Sequence, residues 1–514
     1  MAAGTPNAGP VLTLEGLSKV FQGQRALDQA GLELRRGEVH ALVGQNGAGK
    51  STLIKILSGY HSPEPGAKAM LRGEPLDLGS AEAAHAGGLR FIHQDSMLLD
   101  GLSVAENLAL GGEYASRWWV SDRREADLAA EQLARYGVVV DPSLSAANLS
   151  PAQHTTVAIV RALRDGVAQQ GVLVLDEPTA ALPGPEAARL FDVIRTIRNH
   201  GGTVLYVTHR LQEVFAIADR VSVLRDGRRV ATEAVGDLGH DRLVQLIVGR
   251  SVDSLYPSPP PLGDDVALEV KGVAGGSVQD LTLTLHRGEI VGLTGLVGSG
   301  IEQALHLIFG AQVPDRGQVA LDGVRLGEAS PPASIRAGLA FAPADRNRLS
   351  GIASWTLAEN VTLPRLPSRG PLRWMSVRRE RSETTSWLER LNVVPAASDA
   401  MFSSLSGGNQ QKTVLARWLR CGASVYLLEE PTAGVDIGAK GAIYESLAGV
   451  AETGAGVLIT STDVEEVCSI CDRVMVMREG RIAAVLHGDD RTGERVLAES
   501  MRVSRNERGD HVRD

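Results

Sequence analysis

A chain of 514 residues is too long for one hydrophobic core, so two or more domains are expected. With 43% hydrophobic and 22% charged residues it has a globular composition, and a net charge of −9 argues against a protein that coats nucleic acid. Met1–Pro10 lacks the basic start and apolar stretch of a signal peptide, and no run approaches about 18 uninterrupted apolar residues, so any membrane role is expected to come through a partner protein.

Residues 11–20 alternate as a half-buried strand does, with Phe21 following. Val39–Val43 reads as a buried strand and Thr52–Leu57 as the opening of a helix. Between them lies Gly44-Gln45-Asn46-Gly47-Ala48-Gly49-Lys50-Ser51-Thr52, which matches the phosphate-binding pattern G-x-x-x-x-G-K-[ST]. Its glycines let the backbone curl so that N–H groups face phosphate oxygens. Lys50 is then placed to reach the β- and γ-phosphates, and the Ser51 hydroxyl to complete the shell of Mg²⁺. The N-terminus of the following helix favours the same anion.

Gly88–Ile92 reads as a further strand, ending at His93-Gln94-Asp95, and from Ser103 to Tyr136 the period is helical. Val172–Leu175 is a buried strand leading into Asp176-Glu177-Pro178-Thr179, Val204–Val207 another ending at Thr208-His209, and Val221–Val230 a hairpin turned at Asp226-Gly227. Strands alternating with helices predict an α/β domain with a mainly parallel sheet, whose strand carboxyl ends meet the ligand crevice. There Asp176 is expected to hold Mg²⁺ and Glu177 to polarise the attacking water as general base. Gln94 and His209 would address the γ-phosphate or its water, and Gln94 is a further candidate metal ligand.

The pattern then starts again. Ala105-Glu106-Asn107 returns as Ala358-Glu359-Asn360, Glu177-Pro178-Thr179 as Glu430-Pro431-Thr432, and Asp219-Arg220-Val221 as Asp472-Arg473-Val474, all at one offset, while Gly44 returns as Gly295. Two copies of one domain are expected over residues 11–250 and 266–500. A proline-rich linker, 251–265, joins them, and a charged tail, 501–514, follows. Three cysteines suggest a reducing compartment. Cys468 and Cys471 form a C-x-x-C with no second pair to complete a zinc site, and it reads as structural.

The order of P-loop, Gln94, Leu149-Ser150-x-x-Gln153, strand-Asp176-Glu177-Pro178-Thr179 and His209 resembles the nucleotide-binding domain of ATP-binding-cassette (ABC) proteins, twice over. The resemblance implies two tandem α/β domains, each with a mainly parallel sheet, an antiparallel part and a helical subdomain. It also implies ATP and Mg²⁺ as ligands. In that family two domains meet head to tail, each nucleotide lying between one P-loop and the other domain's signature helix, and Phe21 looks like the aromatic that stacks on adenine.

The second copy departs from the pattern. Its loop ends in Ile301-Glu302 where Lys and Ser belong, Ala344 replaces the Gln, Thr462 the His and Glu429 the magnesium Asp, and no aromatic matches Phe21. Its signature is nevertheless intact as Leu405-Ser406-Gly407-Gly408-Asn409-Gln410, whereas the first copy carries Pro151 and Ala152 at the two glycine positions. In a head-to-tail arrangement every loss falls in one composite site. ATP would be hydrolysed at the other, built from the first P-loop with Ser406, Gly407, Gly408 and Asn409 of the second copy.

Val248-Gly249-Arg250 with Tyr256-Pro257, Glu430–Asp436 and Gly438-Ala439-Lys440 resemble the duplicated ATPase subunits of bacterial simple-sugar importers of the ribose, galactose and xylose type. That family commonly has Gly-Arg-Thr where this chain has Gly300-Ile301-Glu302, E-D-R where it has Ala344-Asp345-Arg346, and Arg where it has Ala433. The resemblance implies a peripheral subunit at the cytoplasmic face of the bacterial membrane. It would work with a permease pair and an extracytoplasmic sugar-binding protein, with the stretches from Ser103 and Thr356 docking the permease, and no nucleic acid is involved. Alternatives are the ATPase of a nucleoside importer and a soluble two-cassette factor acting on ribosomes. The short linker and broken second loop disfavour the ribosomal factor.

Overall fold

The computed structural model describes residues 9–21, 24–92, 98–110, 122–164, 171–179, 182, 184–249, 265–327, 329–345, 349–365, 376–433, 435 and 437–502. It comprises two compact units, Met1–Ser251 and Val252–Asp514. The proline run of the expected linker, Gln94 and most of the charged tail lie outside the described residues. No described helix is long and apolar enough to cross a membrane.

The first unit opens with β1 (Pro10–Phe21), β2 (Gln24–Arg35), β3 (Val39–Val43), α1 (Lys50–Leu57), β4 (Lys68–Leu71) and β5 (Glu74–Pro75). It continues through α2 (Ala81–Gly87), β6 (Leu89–Ile92), α3 (Val104–Ala109), α4 (Asp122–Arg135), α5 (Pro151–Ala162) and β7 (Val172–Asp176). It closes with α6 (Gly184–Asn199), β8 (Thr203–Val207), α7 (Leu211–Ile217), β9 (Arg220–Arg225), β10 (Arg228–Ala234) and α8 (His240–Val248). One sheet, β2-β1-β4-β5, is antiparallel; the other, β10-β9-β3-β8-β7-β6, is parallel apart from the β9–β10 hairpin.

The parallel strands are buried on both faces, and their period of two divides the core. Val172, Val174, Leu205 and Val207 pack with α1 and the antiparallel sheet, while Leu173, Leu175, Val204 and Tyr206 pack with the helices α3 to α6. The hairpin turn falls at Asp226-Gly227 as expected, both with positive φ (51° and 76°), the twist that a two-residue hairpin favours.

The second unit repeats this order as β11 (Val266–Gly275), β12 (Val278–His286), β13 (Ile290–Gly295), α9 (Ile301–Phe309), β14 (Arg316–Leu321) and β15 (Val324–Arg325). Then come α10 (Pro331–Ala337), β16 (Leu339–Ala342), α11 (Leu357–Thr362), α12 (Val377–Arg390), α13 (Gly407–Leu419) and β17 (Val425–Glu429). It ends with α14 (Ile437–Glu452), β18 (Gly456–Thr460), α15 (Val464–Ile470), β19 (Arg473–Arg478), β20 (Arg481–His487) and α16 (Gly493–Met501). A single bridge, Asp280 to Arg481, joins its two sheets into one of ten strands.

The repeated Ala-Glu-Asn has a structural meaning in both units. Glu106 forms a capping box with Ser103 at the start of α3, and Glu359 forms one with Thr356 at the start of α11. The fully buried Asn107 and Asn360 accept from the Leu99 and Ile352 amides at 2.8 and 2.9 Å, and each donates back to the same residue's carbonyl at 3.0 Å. Each repeat therefore braces a preceding loop onto a helix.

Candidate functional site

In the first unit the loop leaves β3 at Gly44 and enters α1 at Lys50, earlier than the Thr52 read from the sequence. Gly49 occupies the helix N-cap at φ +102°, and a Cβ there would lie 2.6 Å from the Ala26 carbonyl oxygen, so no other residue fits without a shift. The Lys50 side chain is buried, and its Nζ donates to the Gly44 and Gln45 carbonyls at 2.7 and 3.1 Å. The ammonium is thus held over the loop rather than extended into water. The loop residues Asn46, Gly47 and Ser51 are exposed, Thr52 is half-buried, and Ala48 packs into the core. The Gln45 side chain points elsewhere, donating to the Ile247 carbonyl on α8 at 3.2 Å.

Asp176 ends β7, and Glu177 follows in the left-handed region at φ +49°, its amide donating to the Val207 carbonyl at 2.9 Å. This turn brings Glu177 Oε1 to 3.0 Å from His209 Nδ1. The hydrogen bond from His209 holds the Glu177 carboxyl below its usual range, against burial that pushes it up; the charges of His209, Lys50 and Arg210 add to the lowering. The net effect favours the ionised form of Glu177. Phe21 ends β1 with 38% of its surface exposed. Its ring meets the edge of His61 at 5.1 Å between centroids, with Lys19 Nζ 5.5 Å from its centre.

The second unit keeps the backbone and changes the chemistry. Ile301 is buried in the core where Lys50 stands in the first unit, and the Glu302 carboxylate accepts from the Gly298 amide at 2.8 Å. Glu429 accepts from the Ala344 amide at 2.8 Å and lies 3.4 Å from His306 Nε2. Glu430 repeats the left-handed turn at φ +45°, but its partners are the Thr462 amide at 2.7 Å and the Ser461 hydroxyl at 3.3 Å. Burial is now the largest influence, and the Glu430 carboxyl is pushed up.

The signatures differ as well. In the first unit Ser150 and Gln153 close a capping box over the start of α5, with Pro151 at its first position. In the second unit Ser406 caps α13 without a side-chain bond, and a Cβ on Gly408 would meet open space. Asn409 instead donates to the Val394 carbonyl at 2.8 Å and to Ser406 Oγ at 3.1 Å. Gly407 is exposed and Gly408 half-buried.

A family profile described as ABC transporter matches residues 27–180 and again 278–433. The chain belongs to the ABC transporter family. It is similar to the arabinose import ATP-binding protein AraG of Azospirillum brasilense, 43% identical over 487 residues that cover 94% of this chain and 92% of that protein. It is also similar to AraG 2 of Burkholderia cenocepacia (strain HI2424), 42% identical over 94% of this chain and 93% of the relative. The ribose import ATP-binding protein RbsA 2 of Streptomyces avermitilis is 40% identical, over 95% of this chain and 96% of its own length. As a pair of ABC cassettes, this chain is an ATP hydrolase whose turnover is coupled to transport.

A repeated pair of glutamates and one histidine escaped the sequence reading. Buried Glu213 on α7 accepts from the hydroxyls of Thr179, Tyr206 and Thr208 at 2.6, 2.8 and 2.7 Å, tying the turn after β7 to the end of β8. Glu466 does the same in the second cassette with Thr432, Ser461 and Tyr444. The recurrence of Glu five residues after Thr208 and after Ser461 was the available signal. His61 is the other, and with no repeat to mark it only the fold reveals its contact with Phe21. The C-x-x-C reads as structural here too: burial raises the thiols of Cys468 and Cys471, so neither is a ready thiolate.

Proposed function

We propose that this chain energises the import of a simple sugar through a separate pair of membrane permease subunits, at the cytoplasmic face of a bacterial membrane, with an extracytoplasmic sugar-binding protein delivering the cargo. The observation that carries this reading is the end-to-end likeness to import ATP-binding proteins for arabinose and ribose, at 43% and 40% identity. The test is reconstitution with the permease and binding protein in vesicles. ATP-dependent uptake of a labelled pentose or hexose is expected; uptake of nucleosides alone would transfer the chain to another cargo class.

We further infer that ATP is hydrolysed at one composite site, formed by the first P-loop and the second signature at Ser406, Gly407, Gly408 and Asn409. The first cassette offers Lys50 for the phosphates and Phe21 for the adenine. Ser51 and Asp176 present oxygen donors that fit Mg²⁺, with Gln94 as a further candidate ligand. That cation would supply positive charge against the negative charge of the phosphate oxygens. Glu177 accepts a proton from water as the water oxygen bonds to the γ-phosphorus. The bond from that phosphorus to the bridging oxygen breaks, and ADP leaves with the electron pair. His209 orients Glu177 through its Nδ1 contact. Support comes from the contrast between the cassettes: the ionised acid, the histidine and the lysine stand in the first, and Ile301, Thr462 and a raised Glu430 in the second.

A further inference from the structure

Ser51, Thr52 and Lys55 of α1 correspond by position to Glu302, Gln303 and His306 of α9, counting from Gly44 and Gly295. Each replacement reaches a different wall of its own cradle. Glu302 places its carboxylate on the Gly298 amide at 2.8 Å. Gly298 corresponds to Gly47, an amide of the phosphate-binding turn. Gln303 accepts from the Ser277 amide at 2.7 Å and its hydroxyl at 3.1 Å, clamping the β11–β12 turn onto the helix. That hairpin runs only from Val266 to His286, whereas its counterpart runs from Pro10 to Arg35, and the segment missing is the one that carries Phe21. His306 lies 3.4 Å from Glu429, the residue at the magnesium-aspartate position, and its ring packs edge-on against Phe341 at 4.9 Å.

We propose that the second cassette is self-liganded: Glu302 is its resident anion, standing where a nucleotide phosphate binds in a competent loop, with Gln303 and His306 closing the base and metal ends of the same cradle. This rests on reading the second half as a cassette that does not turn ATP over, and it supplies a physical cause. A tethered carboxylate one turn from its amide has an effective concentration that a free phosphate must exceed. Its negative charge repels a second anion at the same place. The loop thereby keeps the curled, anion-bound shape without nucleotide, which leaves the cassette ordered to present Ser406 and its glycines.

The test is amide hydrogen exchange at Gly298 in the full chain, free of nucleotide, with inorganic phosphate as the competing anion. In E302A the Gly298 amide is expected to exchange at least about tenfold faster than in the unmodified chain, consistent with loss of one charge-assisted hydrogen bond. Phosphate is expected to slow exchange in E302A and to leave the unmodified chain unchanged. E302Q, whose carboxamide oxygen keeps an acceptor without the charge, is expected to fall between them, and it carries the comparison if E302A does not fold. Equal exchange in the unmodified chain and the variants would overturn the proposal, and so would phosphate slowing exchange in the unmodified chain. The measurement involves no ATP turnover, so a failure of the one-site hydrolysis reading in enzyme assays would leave its outcome separately visible.

Discussion

His209 Nδ1 lies 3.0 Å from Glu177 Oε1, and this contact is the largest influence holding the Glu177 carboxyl below its ordinary value. The sign fixes a pH dependence. With a folded value depressed below 4.5, the carboxylate adds stability that is fully present above about pH 4.5 and is lost as pH falls through the lower, folded value. In H209A burial acts without its main opponent. The acidic limb of the residual single-turnover rate is expected to move to higher pH, and a pH–rate profile of the two proteins checks it. An unmoved limb would mean that His209 does not set the ionisation of Glu177.

Glu177→Gln removes the proposed base from the first cassette and is expected to lower steady-state ATP turnover of the assembled transporter by about 10²–10⁴-fold. Glu430→Gln, at a carboxyl already pushed up by burial, is expected to leave most of the turnover intact. Equal damage from the two substitutions would end the one-site reading.

Lys50→Ala is expected to abolish turnover and tight nucleotide binding together, because Ile301 offers no second ammonium at the matching position. A binding titration of the unmodified chain is expected to show one tight ATP per chain. Two equal sites would contradict this.

Glu213→Ala strands three buried hydroxyls, those of Thr179, Tyr206 and Thr208. Denaturant melts are expected to show a loss on the order of 3 kcal/mol or more, since each buried donor left without an acceptor costs about 1–3 kcal/mol. Turnover should fall as well, because the same carboxylate ties the turn carrying Glu177 to the strand end that leads into His209. Unchanged melting would show that water replaces the carboxylate.

Ser406→Arg puts a long cation at the exposed start of α13, close to Gly408, where a Cβ would meet open space. It is expected to stop ATP turnover while leaving nucleotide-free melting within about 0.5 kcal/mol, as for most surface substitutions. Calorimetry beside an ATPase assay separates the two effects.

Much of the fold was legible because its signals are local. Val39–Val43 is a strand as the apolar run indicated, and the Asp226-Gly227 turn required the two positive φ values that its residues tolerate. The start of α1 was misread because a helix boundary depends on the cap, and Gly49 caps through backbone conformation alone. The repeated Ala-Glu-Asn marked the duplication correctly, but the brace it forms was invisible, since Leu99 and Ile352 carry no sign of the carbonyls they offer.

By itself the sequence determined the two-copy α/β architecture, the intact loop at Gly44–Thr52 and the substitutions at Ile301, Glu302, Ala344 and Thr462, because residue type and spacing carry that information directly. Tertiary structure alone decided what the substitutions do. Glu177 and Glu430 share one backbone turn, yet the first is pushed toward ionisation and the second away from it, because a histidine faces one and a threonine the other. In the sequence Glu302 shows only as a departure from the Ser of the phosphate-binding pattern. In the fold its carboxylate rests on the Gly298 amide, a pairing set by the turn of a helix and not by any property readable from one residue.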